Sequence, residues 1–130
     1  MRSGMRFGSV FFALLFTMAA IVQWNDPDPL AWVSAYATGA LLSWASATGR
    51  RLPRVTTAAA IVFGLAFASI AISLVGAPAA AFTSFEMSAP DHEAPREAAG
   101  LGLLCAWTSL LAWRARRAGP GGEGEAQPAP

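Results

Sequence analysis

Four stretches of this chain are too long and too apolar to be core segments of a soluble domain of its size. They run over residues 7–24, 29–48, 55–77 and 98–113, and none holds an interior Asp, Glu, Lys or Arg. A helix needs about 20 mostly apolar residues to cross roughly 30 Å of hydrocarbon, and a helix satisfies its backbone polar groups internally. The fourth stretch is short, so its helix is expected over 96–114, with Arg96, Glu97 and Arg114 at the interfaces. The chain therefore reads as an all-α integral membrane bundle of four transmembrane helices, at about 7–24, 29–48, 55–77 and 96–114. The 130 residues leave room for one such unit, placed at 1–117. An apolar share of 55% and a mean hydropathy of +0.44 exceed what a soluble domain usually carries, and a charged share of 13% is about half the usual one.

The charges sort by connection. There is no Lys, and eight of the nine arginines fall on alternate sides of the apolar stretches. Arg2 and Arg6 precede the first; Arg50, Arg51 and Arg54 separate the second and third; Arg114, Arg116 and Arg117 follow the fourth. The other two connections carry Asp26 and Asp28, then Glu86, Asp91, Glu93 and Glu97, opposed by Arg96 alone. Cytoplasmic loops collect arginine, so both termini are expected in the cytoplasm and the number of spans is even. The implied location is the cell membrane, multi-pass, with the lipid bilayer as partner; the Arg-, Ala- and Gly-rich, Lys-free composition suits a bacterial genome. Basic residues that flank membrane helices give no support for nucleic-acid binding. An alternative keeps the first stretch as a cleaved signal peptide, with Met18-Ala19-Ala20 near its end. Residues 118–130 abound in Pro and Gly, hold nothing apolar enough to bury, and are expected to be disordered.

The most specific stretch is Gln23-Trp24-Asn25-Asp26-Pro27-Asp28-Pro29-Leu30-Ala31-Trp32. It reads as a tight outward hairpin, because Asp-Pro favours turn initiation. Asp28 is expected as the N-cap of the second helix, with Pro29 at its first position, where a missing N–H does no harm. Such a cap is worth about 1 kcal/mol. Trp24 and Trp32 bracket the turn and are expected at headgroup depth.

The run Val22-Gln23-Trp24-Asn25-Asp26-Pro27-Asp28, with Trp32 following, resembles the transmembrane protein 220 family. So does Arg96-Glu97-Ala98-Ala99-Gly100-Leu101, leading to Ala106-Trp107. The resemblance covers about residues 7–113 and implies small multi-pass membrane proteins without an established activity, substrate or cofactor.

The residues themselves offer little chemistry. There is no Gly-rich phosphate loop, nucleophile elbow or zinc-type His/Cys spacing, so no catalytic, cofactor-binding or metal residue is assigned. Asp26, Asp28, Glu86, Asp91, His92, Glu93 and Glu97 make the outer face acidic, but Asp91-His92-Glu93 aims successive side chains in different directions. Arg96 is expected within bridging distance of Asp26, Asp28 or Asn25, joining the two motifs, and Glu97 is expected to favour the positive end of the fourth helix. Cys105 reads as a small buried apolar residue. The hydroxyls inside the stretches, Thr17, Ser34, Tyr36, Thr38, Ser43, Ser46, Ser69, Ser73, Thr108 and Ser109, can return their hydrogen bonds to their own helices and imply little beyond packing. Stripes of small residues, at Ala35-Gly39-Ser43-Ala47 and Ala60-Gly64-Ala68, let helices approach closely and suit self-association or a membrane partner. The candidate motif is thus Asn25, Asp26, Pro27, Asp28, Pro29, Trp32, Arg96 and Glu97. The function expected is that of a structural or accessory membrane component; the alternative is cation or small-ligand binding or transport through the acidic face.

The arginine pattern makes a topology prediction. A reporter active only outside the cytoplasm should work when fused after Asp28 and fail after Arg51 or Arg117. Activity at Arg51 would eliminate the four-span arrangement.

Overall fold

An apolar run marks where lipid begins, whereas a helix ends where its backbone can no longer be satisfied, and the two boundaries differ here. The structure, a computed structural model, describes residues 3–76 and 93–119. Four helices are described: α1 (Ser3–Val22), α2 (Pro29–Ala47), α3 (Pro53–Ser73) and α4 (Glu93–Arg117), with a 3₁₀ turn at Gln23–Asn25 after α1. Helix α1 starts before the apolar run, and α4 extends past it at both ends. Pro95 is tolerated in the first turn of α4, where no N–H is required. Helix α3 begins two residues earlier than its apolar run and stops short of its end, in a turn closed by Gly76 at φ 89°.

Proline and glycine set the other boundaries. Pro27 pushes the preceding Asp26 into extended backbone, at φ −73° and ψ 156°, and this ends the 3₁₀ turn. Pro29 and Pro53 open α2 and α3. Gly49 sits at φ 85° just beyond α2, with its N–H bonded to the Ser46 carbonyl at 3.0 Å and the Arg50 N–H bonded to the Ala45 carbonyl at 2.9 Å. This paired closure of a helix end needs a left-handed residue, which glycine supplies without strain. One expectation is corrected. Asp28 occupies the N-cap position of α2 but makes no side-chain capping bond, because its backbone lies at φ −117° and ψ 61°. Side-chain caps form from the β region, and Asp28 lies outside it although a following proline favours extended backbone.

The helices pair as two antiparallel hairpins. In α1/α2 the hydroxyls of Ser9 and Ser46 are 2.9 Å apart, and Phe16 lies against Gly39 further along. In α3/α4 the Arg116 guanidinium donates to Thr57 Oγ1 at 3.0 Å, the Cys105 thiol to the Ala60 carbonyl at 3.7 Å, and Phe67 covers Gly102. The hairpins join along α2 and α4, which run parallel: Tyr36 faces Gly100, Gly39 faces Leu104, and Ser43 faces Trp107. A Cβ on Gly39 would stand 2.5 Å from Leu104 Cδ2 and 3.0 Å from Phe16 Cδ2, so glycine is what permits this approach. The alternating directions put the start of α1, the α2–α3 connection and the end of α4 at one end of the bundle, with their arginines. Asp26, Asp28, Glu93, Arg96 and Glu97 lie at the other.

Polarity is distributed inside out. Phe7, Leu14, Met18 and Ile21 of α1, and Ile61, Val62, Leu65 and Ile72 of α3, are exposed, while Ser9, Ser43, Thr56 and Thr108 are buried. Each of these four hydroxyls is hydrogen-bonded. In water this would waste the hydrophobic effect; in lipid it is the stable arrangement. Helices α1 (with its 3₁₀ turn), α3 and α4 are long and apolar enough to cross a membrane. Helix α2 falls short by composition because it carries Ser34, Tyr36, Thr38, Ser43 and Ser46. Tyr36, Ser43 and Ser46 are turned toward protein neighbours.

The buried Ser43 hydroxyl generates a stability prediction. It donates to the Gly39 carbonyl at 2.7 Å and accepts from the Trp107 indole at 2.8 Å. Ser43→Ala leaves the indole N–H buried without that acceptor and should destabilise the protein in detergent by about 1–2 kcal/mol. Ser34→Ala, on an exposed position, should change the thermal midpoint little.

Candidate functional site

The two sequence motifs meet at the acidic end of the bundle. The 3₁₀ turn and the Asp26-Pro27-Asp28 extended link carry the first; the opening turns of α4 carry the second. Arg96 Nη2 lies 3.7 Å from Asp26 Oδ1, so the expected bridge between the motifs is present. It is a looser contact than expected. A charge-assisted fork closes to about 2.7–2.9 Å, and the Arg96 side chain remains 48% exposed although that of Asp26 is only 12% exposed. Solvent on the arginine side keeps the pair near the value of a surface salt bridge, about 0–1 kcal/mol.

Beneath this pair lies a contact that reading the sequence by charge alone misses. The Tyr36 hydroxyl of α2 is seated directly over Gly100, where any Cβ would collide with it. The Tyr36 ring is flanked by Phe16 at 6.3 Å and Trp32 at 6.2 Å between centroids. Glycine in the Arg96–Leu101 motif is therefore a seat for a tyrosine from another helix, and Leu101 beside it is buried in the core. The signal was available: Trp32 and Tyr36 are four residues apart, on one face of α2.

The remaining motif residues divide. Asn25, Pro27 and Asp28 are exposed, and Pro29 is half-buried at the start of α2. Trp24 projects outward at 72% exposure, whereas Trp32 is half-buried and packs on the core, so the two tryptophans do not bracket the turn in the same way. Glu97 is the fifth residue of α4, and the acid in its first turn is Glu93. The expected helix-dipole role thus passes to Glu93. Glu86, Asp91 and His92 lie outside the described residues. Among the described residues, no group of three or more His, Cys, Asp or Glu side chains is placed to hold a metal ion.

The small-residue stripes are largely used within the chain. Gly39, Ser43 and Ala47 are buried, and Gly64 faces Cys105. Thr17, Thr38, Ser73 and Thr108 return their hydroxyl bonds to their own helices at 2.6–2.8 Å.

A family model described as transmembrane family 220, helix, matches residues 15–113, which include both motifs and the whole contact between them. No curated protein and no solved structure matches the chain.

The bridge itself is testable. In a double-mutant cycle on Arg96→Ala and Asp26→Ala, measured by unfolding in detergent, the coupling should be about 0.5–1 kcal/mol. Strict additivity of the two losses would reduce both to separate interfacial charges.

Proposed function

Because the chain belongs to transmembrane family 220, we propose that it is a multi-pass component of the cell membrane with a structural or accessory role. Four spans, with both termini cytoplasmic, follow from the positive-inside rule. The antiparallel pairing of α2 with α1, a helix of nearly equal length, supports counting α2 as a span. The observation that carries the structural reading is the fate of the polar side chains inside the bundle. Ser9, Ser43, Ser46, Thr108 and Trp107 direct their hydrogen bonds to neighbouring helices or their own backbone. Chemistry on a substrate calls for polar groups aimed at a cavity, whereas packing consumes them. A second copy or another membrane protein would meet the chain through its outward apolar faces.

The competing reading is a cation or small-ligand site on the acidic face. Engagement of Asp26 with Arg96 weakens it, since one carboxylate already faces a positive charge. Thermal unfolding of the purified protein decides between them. A ligand that binds only the folded state raises the midpoint by mass action. Magnesium, calcium and zinc should each leave it unchanged, in the wild type and in Asp28→Asn/Glu97→Gln alike. A cation-dependent rise that the double variant abolishes would overturn the structural reading.

A further inference from the structure

The end of the bundle opposite the two motifs holds a cavity of about 760 Å³ between the hairpins. Arg50, Arg51, Arg114 and Arg117 line it together with apolar side chains that include Leu42 and Leu111. These four arginines pair with no carboxylate of the described residues, because Asp26, Asp28, Glu93 and Glu97 all stand at the far end. Two of the guanidinium groups are positioned by the protein. Arg51 Nη1 donates to the Ala118 carbonyl at 3.4 Å, and the Arg117 guanidinium lies 4.2 Å from the centroid of the half-exposed Trp113 ring. A tryptophan so placed, next to basic residues at the end of a spanning helix, marks the membrane–water interface.

Four like charges around one concavity repel each other unless an anion sits among them. The apolar part of the lining narrows the choice of anion. A free inorganic ion would leave the exposed lining residues Leu52 and Trp113 facing water, whereas an amphiphile covers them as well as the arginines. Guanidinium groups grip phosphate oxygens through paired N–H donors, and basic pockets between spanning helices suit lipid headgroups. We propose that this cavity binds the phosphate-bearing headgroup of an anionic phospholipid, with the first part of its acyl chains against the apolar lining.

The test uses the full-length chain purified in detergent and mixed with phosphatidylglycerol and phosphatidylcholine in equal amounts, with retained lipid read by native mass spectrometry. Phosphatidylglycerol should be retained in preference. Arg51→Gln/Arg114→Gln should lower that retention by roughly fivefold for each arginine removed. Arg54→Gln/Arg116→Gln removes the same charge from the same end but outside the cavity, and should retain the lipid. Equal losses in the two pairs would mean diffuse surface charge and overturn the site. Should the glutamine pair not fold, Arg51→Lys/Arg114→Lys keeps the charge and should still weaken retention, because an ammonium cannot form the paired contact; undiminished retention there would overturn the proposal. Excess inorganic phosphate should leave the lipid bound, and displacement would make a soluble anion the ligand instead. Glu123→Gln/Glu125→Gln should leave retention as it is. A rise would make the chain's own acidic segment the occupant.

Discussion

The Trp107 indole is where the two hairpins become one bundle. Its ring stacks on Phe12 of α1 at 4.1 Å between centroids, and its N–H reaches Ser43 of α2 at 2.8 Å, while its backbone belongs to α4. Helices in lipid gain nothing by hiding apolar surface from one another, so association depends on close packing and on polar groups that find partners only across an interface. One tryptophan supplies both. Two small residues give it room: Gly8, 3.7 Å from the indole measured to an ideal Cβ, and Ser43 itself. Above it Leu104 fills the space left by Gly39, and one turn further Tyr36 fills the space left by Gly100. The α2–α4 seam is thus a succession of large side chains set against small ones, the alternation that lets two backbones lie close.

That seam also relates the two ends of the molecule. At the acidic end it finishes in the Asp26–Arg96 pair above Tyr36; at the other end the hairpins diverge and leave the arginine-lined cavity. The separation of charge along the chain therefore has a structural counterpart. One end is closed by a pair of opposite charges, and the cavity at the other is lined by like ones. Closure needs little electrostatic energy, since the half-exposed bridge adds to a packing contact that already exists.

Much of this was legible in the chain itself. Apolar length and the absence of interior charge identify the helical stretches, because backbone in hydrocarbon has few alternatives to helix. Alternating arginine and carboxylate connections determine which helix ends lie together. Asp26-Pro27-Asp28-Pro29 dictates the break between α1 and α2, since proline restricts both itself and the residue before it. Even the Arg96–Asp26 proximity follows, because only one basic residue occurs among the carboxylates of that end.

Other features were decided only in three dimensions. The polar residues of α2 cannot be sorted by composition, since Tyr36, Ser43 and Ser46 lower its apolar character in sequence but face protein neighbours in the structure. Asp28 occupies a capping position, yet a backbone angle that no residue pattern displays keeps its side chain from capping. Small-residue stripes look alike whether they serve the chain's own helices or another chain's, and only the placement of Phe16, Leu104 and Cys105 shows Gly39 and Gly64 covered from within. The cavity between Arg50, Arg51, Arg114 and Arg117 joins residues more than sixty positions apart. Local sequence determines where a helix starts and which end it presents. Which side chains share a space depends on how the helices rotate against one another, and that is settled by the fit of their surfaces.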